Sequence, residues 1–250
     1  MNRIARFATI AAAAAGLAAP VASLHAQQDN KPTVAIMYFN NNAFGPGAKD
    51  YDGLTKGVPD FLITEMSSNP NIRVIERDQV QKLVDEQKLG ADGRVDPATA
   101  ARIGKLLGAQ HMIFGGFAAD PKGNFRIDAR AVNVETGIVE HVERVQDKAD
   151  NVMPLIDQLA ERMNKGMHLP ANPTRTGDAG APSGAAMLAS ASTAQRQTLP
   201  MKYAVMYGKA LDLADHGDKA RAVELFGAVL KEFPEYGPAK NGISKLKPGA

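Results

Sequence analysis

The chain has 250 residues, 29 basic and 27 acidic side chains, a formal charge of +2 at neutral pH, and no cysteine. The missing cysteine excludes disulfides, thiolate metal sites and cysteine nucleophiles. The near-balance of charge lacks the clustered basic excess that marks a nucleic-acid binder, so none is expected as a partner.

Residues 1–26 read as a cleavable export signal. Arg3 and Arg6 form a basic start, Phe7 to Ala19 is apolar and alanine-rich, and Ser23-Leu24-His25-Ala26 offers a cleavage point before Gln27. Leu24 departs from the small residue preferred at its position. Setting aside Arg3 and Arg6 leaves 27 basic side chains against 27 acidic ones. The apolar run is shorter than the roughly 20 residues a spanning helix needs, and no later segment reaches that length.

Residues 31–168 alternate strand and helix patterns. Thr33 to Phe39 is apolar on both faces and predicts a buried strand ended by Asn40-Asn41-Asn42. Leu54, Val58, Phe61, Leu62 and Met66 recur at helical spacing, with Pro59 either interrupting that helix or marking its first turn. Ile72, Val74 and Ile75 predict a short strand. Asp78 with Gln81 has the spacing of a capping box, followed by a buried stripe of Val80, Leu83 and Val84. Asp96-Pro97 opens a further helix with Ile103, Leu106 and Leu107 on its apolar face and Gly108 at its end.

Met112 to Phe114 predicts a core strand ending in Gly115-Gly116, a pair read as close backbone packing or a bulge. Phe125, Ile127, Ala129 and Ala131 alternate in the next strand. The apolar phase flips at Val132 and Val134, which predicts a bulge or burial on both faces. After the turn at Glu135-Thr136-Gly137, Ile138 to Val145 forms the antiparallel return. A last helix, Asn151 to Met163, buries Val152, Leu155, Ile156 and Leu159.

Residues 169–197, rich in Pro, Gly, Ala, Ser and Thr, read as a flexible linker. Residues 199–250 are helical by pattern. Ala210, Gly217, Ala222, Phe226 and Pro234 fall where a tetratricopeptide repeat places its small, turn, small, aromatic and terminal proline residues, with Leu213 where an aromatic is expected. One repeat cannot bury its apolar face alone. It is expected to pair with a copy of itself, dock on the first domain, or receive a partner. The fold class is therefore α+β, a mixed sheet of α/β type flanked by helices, with a small all-α module at the C-terminus.

Chemistry-bearing motifs are sparse. His111, His141, His168 and His216 show no metal-ligand spacing, and neither a phosphate-binding loop nor a G-x-S-x-G elbow occurs. No catalytic, cofactor or metal site is expected. Glu76-Arg77 reads as a strand-end ion pair of little energetic value. Tyr203, Met206 and Tyr207 lie within one turn of the first C-terminal helix and are candidates for a protein-binding face. The alternative, that they pack on the second helix or the first domain, stays open.

The order and junctions from Val74 to Val139 resemble the periplasmic domain of the curli-secretion (CsgG-like) family, itself similar to outer-membrane activators of cell-wall synthases. The resemblance covers roughly Thr33 to Gly166. It implies a domain that binds and organises partners without catalysis. Many relatives carry a lipid-attachment cysteine, which this sequence lacks, so a periplasmic protein without a lipid anchor is expected. Pore-forming relatives insert long membrane-crossing hairpins; here the Asp120–Gly123 loop is minimal and the Asp85–Val95 connection is mostly polar. The leading expectation is a periplasmic, non-enzymatic adaptor or assembly protein of the bacterial cell envelope. Its partner would be an envelope or outer-membrane protein, or a second copy. The alternative is a subunit of an outer-membrane curli-type secretion apparatus.

Overall fold

In the computed structural model, residues 31–86, 95–148, 150, 152–173 and 199–247 are described. The expected export signal lies outside them, as does the expected linker from residue 174 onward. Five strands form one sheet in the order β2-β1-β3-β4-β5, with β1 Thr33–Asn41, β2 Arg73–Val74, β3 His111–Ala119, β4 Asn124–Asn133 and β5 Val139–Lys148. β1 runs parallel to β2 and β3, while β3, β4 and β5 are successively antiparallel.

Connection length explains the change of direction. Parallel neighbours need a crossover, and helices supply it before β2 and before β3. The later links are tight turns. The Asp120 carboxylate accepts hydrogen bonds from the Lys122 and Asn124 backbone N–H groups at 2.8 and 3.0 Å, closing the β3–β4 hairpin. Asn133 Oδ1 accepts from Glu135 N at 3.1 Å and Thr136 N at 3.0 Å, and Gly137 takes φ 71° to complete the β4–β5 turn.

Helices cover both faces, which is why β1 is apolar on both. On one face α1 (Leu54–Ser67) and α4 (Met153–Gly166) share a core with Val34, Ile36, Ile113, Phe117, Phe125 and Ile127. On the other, α2 (Arg77–Glu86) and α3 (Pro97–Leu107) pack with Ala35, Met37, Met112, Phe114 and Val132. The α+β expectation holds. None of the described helices is long and apolar enough to cross a membrane.

Local signals fare unevenly. Asp96 caps α3 by accepting from Thr99 N at 2.7 Å, and Gly108 ends it in the left-handed conformation. The phase flip at Val132 is a bulge: Ala131 pairs with His141 and Val132 with Val139, so Glu140 is the extra residue. The Asp78–Gln81 capping box does not form. Gln81 is drawn away instead, its Nε2 donating to Asp85 Oδ1 at 2.8 Å while its carbonyl accepts from Lys56. Pro59 neither starts nor breaks α1, which runs through it from Leu54 with Val58, Phe61 and Leu62 all buried. Leu106 is 58 % exposed, because Ala100, Ala101, Ile103 and Gly104 form the buried face of α3.

The C-terminal region is three helices, α5 (Met201–Asp215), α6 (Lys219–Glu232) and α7 (Gly237–Leu246). Ala210, Ala222 and Phe226 are buried within it, and its apolar residues continue the core that contains α1 and α4. The described residues from Lys31 onward form one compact unit. The first residues of the expected linker are tied to the end of α1. Asn69 Nδ2 donates to the Pro170 carbonyl at 2.8 Å and Asn172 Nδ2 to Ser68 Oγ at 2.9 Å.

Glycines set the approach of α5 to α1. A Cβ at Gly208 would overlap the Gly53 carbonyl oxygen, and a Cβ at Gly53 would overlap the Val205 carbonyl oxygen. Gly208→Ala should therefore force the helices apart and cost about 1–3 kcal/mol, read by urea unfolding. Gly227→Ala, where a Cβ meets open space inside α6, should instead gain about 0.5–1 kcal/mol from helix propensity.

Candidate interaction site at the junction of α1, α2 and α5

Where β2 ends, Arg77 opens α2 and reaches across to two other helices. Its Nη1 donates to Asp215 Oδ2 at 2.6 Å, its Nη2 to Asp78 Oδ1 at 3.0 Å, and its Nε lies 3.5 Å from Asp60 Oδ1. Lys56 Nζ stands 3.5 Å from Asp215, and Lys245 Nζ on α7 donates to Asp78 Oδ2 at 3.0 Å. Tyr207 completes the set by donating its hydroxyl to Asp60 Oδ2 at 2.7 Å. The side chains of Arg77 and Asp215 are each 11 % exposed, so this pair is largely withdrawn from water.

The cluster borders a cleft of about 1000 Å³ whose apolar wall includes Ile63, Leu211, Ala214, Phe226 and Leu246. Burial raises the Asp60 carboxyl above its ordinary value, with the Tyr207 hydrogen bond and the Arg77 charge pulling the other way. Burial, and then the Asp60 charge, push the Tyr207 hydroxyl well above the usual phenol range, so it is a hydrogen-bond donor at any physiological pH. Burial opposes the Arg77 charge, but the Asp215 hydrogen bond and the carboxylates around it raise its value on balance. The arrangement can hold helices together and present a polar-rimmed groove. Among the described residues no group of three or more potential metal ligands gathers.

The three sequence candidates part company here. Tyr207 is 3 % exposed; its ring stacks on Phe61 at 5.4 Å and meets Tyr236 edge-on at 5.5 Å, so its contacts lie within the chain. Tyr203 turns toward α6, edge-on to Phe233 at 5.1 Å, and stays half-buried. Met206 is half-buried at the margin of the core. The histidines are scattered: His111 hydrogen-bonds Glu140 at 2.6 Å, His141 lies 3.5 Å from Glu143, and His216 hydrogen-bonds the Asp212 carbonyl of its own helix at 2.8 Å.

Arg77 was legible only as half of a strand-end pair with Glu76. Its strongest partner, Asp215, is 138 residues away, and no local spacing points to it. Asp60 was hidden among helix-surface acids. The signal for it is the side of α1 that it shares with Gly53, Gly57 and Phe61, opposite the Val58, Leu62 and Met66 side.

A family model described as "Curli production assembly/transport component CsgG" matches residues 19–120. Over that stretch the chain is similar to the CsgG family. The described part of the match runs from β1 to the end of β3 and contains Asp60 and Arg77; β4, β5 and the C-terminal helices lie beyond it. Among solved structures, the LpoB C-terminal domain from Escherichia coli is 13% identical with a TM-score of 0.35, over 47% of this chain and 82% of that one. TolB from Acinetobacter baumannii is 13% identical with a TM-score of 0.38, over 56% of this chain and 29% of that one. Lipoprotein GNA1162 from Neisseria meningitidis is 12% identical with a TM-score of 0.34, over 55% of this chain and 98% of that one. No similar sequence is found among curated proteins.

Two substitutions separate the roles of the junction charges. Arg77→Met leaves the largely buried Asp215 carboxylate to Lys56, at 3.5 Å, and should cost about 1–3 kcal/mol in urea unfolding at neutral pH. Arg77→Lys should recover only part of that, since an ammonium cannot fork between three carboxylates. Asp60 behaves oppositely. Because its folded pKa is raised above the ordinary 3.8, its contribution is fully present below that value and is lost as pH rises through the folded pKa. The stability of the wild type relative to Asp60→Asn should therefore fall as pH rises from 3.8 toward neutrality, measured by unfolding at a series of pH values.

Proposed function

We propose that this protein is a periplasmic, non-enzymatic adaptor of the cell envelope, with a CsgG-like sheet domain and a tetratricopeptide-like helical segment that together engage protein partners. The observation that carries the reading is the CsgG family match, whose described part includes α1, the helix against which α5 packs. The leader pattern at 1–26 supports export, and the absence of cysteine from the sequence supports a protein without a lipid anchor. With α5 docked on α1, a partner of the proposed adaptor would meet a single composite surface.

On that surface the half-buried Tyr203 and Met206, with Phe233 beside Tyr203, form the patch that the proposal assigns to partner contact. Aromatic and methionine side chains give large contact area at modest ordering cost. Tyr207 anchors this patch from beneath through Phe61 and Asp60.

The test is photo-crosslinking in intact cells. A photoreactive phenylalanine analogue at Tyr203 or Met206 should yield an adduct with an envelope protein, whereas the same group at Lys122 in the β3–β4 turn should not. Equal labelling at all three positions, or none at the first two, counts against the assignment. Fractionation tests the location: release by osmotic shock without detergent is expected, and a requirement for detergent would favour the secretion-apparatus reading.

A further inference from the structure

Charge nearly balances over the whole chain, but strand alternation sorts it by face. Phe125, Ile127, Ala129 and Ala131 of β4 point into the core shared with α1 and α4, so Arg126, Asp128 and Arg130 point the other way. Paired residues of antiparallel strands share a face. Val142 therefore sits beside Arg130, Arg144 beside Asp128, and Lys148 beside Asn124. Glu143 of β5 goes to the opposite face, where it accepts from Arg162 of α4 at 3.2 Å.

Helices α2 and α3 leave this part of their face uncovered. They pack on Met37, Met112, Phe114 and Val132, while Arg126, Arg130, Arg144 and Lys148 are all exposed. Those basic side chains fall one to a row, alternating between β4 and β5 in the order Arg130, Arg144, Arg126, Lys148. Successive rows on one face are two residues apart, about 6.8 Å. The one acid on these rows is Asp128. Arg144 Nε donates to its Oδ1 at 2.6 Å and Arg126 Nε to its Oδ2 at 2.8 Å. The terminal nitrogens of both arginines stay unpaired among the described residues, and Arg130 forms no ion pair there. The main-chain edge beside them is closed. The Arg144 N–H donates to Glu143 at 3.1 Å and the Arg144 carbonyl accepts from Arg162 at 3.5 Å, so the open groups are side chains on the face.

We propose that this basic ladder docks an acidic segment of a partner protein, laid along the strands in extended form. Alternate side chains of an extended chain repeat at the row spacing, so a carboxylate at every second position meets one basic group per row. Asp128 shows that these guanidiniums receive a carboxylate, and one acid is too few for three arginines. Val142, 59 % exposed, adds an apolar contact at the first row. With a formal charge of only +2 on the whole chain, the positive field is local. That suits a short acidic segment better than a long polyanion or a charged lipid surface. The proposal does not depend on the Tyr203 patch, which belongs to α5.

The test is fluorescence anisotropy with full-length protein and fluorescein-labelled decaglutamate. Saturable binding is expected at low ionic strength, weakening as salt is added. Arg130→Glu and Arg144→Glu should each weaken it about tenfold, whereas Lys219→Glu, an equal change of charge on α6, should weaken it less than about twofold. Asp128→Asn removes the competing acid and should tighten binding about threefold, a gain that damage to the fold cannot produce. The proposal is overturned if decaglutamate does not bind, or if the Lys219 variant loses as much as the ladder variants. It is overturned too if oligothymidylate or phosphatidylglycerol vesicles bind more tightly than decaglutamate and lose that binding in the same ladder variants.

Discussion

Helix α1 is buried on two sides, and the relation of the sheet to the C-terminal helices rests on that double burial. Val58, Leu62 and Met66 occupy one side of it, while Gly53, Gly57, Asp60 and Phe61 occupy the other, against α5. The hydrophobic effect supplies the drive on both sides, but the second contact is possible only because glycines let two backbones meet. A side chain at Gly53 or Gly208 would fill the space that the opposing carbonyl occupies. Close approach then brings Phe61 and Tyr207 into ring contact and lets Phe226 and Tyr236 close around them.

Charge enters at the margin of this apolar contact rather than at its centre. Arg77 and Asp215 form a short, mostly buried pair, and such pairs add orientation more reliably than net stability. Asp60 pays for its position in desolvation, yet its bond with Tyr207 satisfies a hydroxyl that would otherwise be stranded in the core. Three helices are registered against one another by one guanidinium, and α7 is drawn in through Lys245 and Asp78. The family match includes Asp60 and Arg77 but stops well before Tyr207 and Asp215, so the junction joins the matched region to what lies beyond it.

The elements that local chemistry dictates were legible in the sequence. Asp96 with Thr99 and Gly108 each act within four residues of their own position and do what their spacing predicts, and Asp120 and Asn133 likewise act locally in closing the two hairpin turns. The failures are of one physical kind. The Asp78–Gln81 spacing is right for a capping box, but Lys56, from another helix, competes for Gln81. Pro59 should disfavour the interior of a helix, yet burial around it outweighs one lost hydrogen bond. Tyr207 was read as a candidate for a protein-binding face, while its partners Asp60 and Phe61 could not be named, because the contact spans 147 residues.

The same long-range contact orders events in time. The strands from β3 to β5 are joined by tight turns and pair with their neighbours in sequence, so they can assemble as soon as they exist. Residues from 199 onward leave the ribosome after the whole sheet has been made. Until they arrive, α1 keeps the side bearing Phe61 uncovered, and the unfinished chain carries an adhesive stripe that the complete protein hides. A truncation that spares the whole sheet would leave that stripe exposed for good, so the cost of losing the C-terminal helices falls first on solubility.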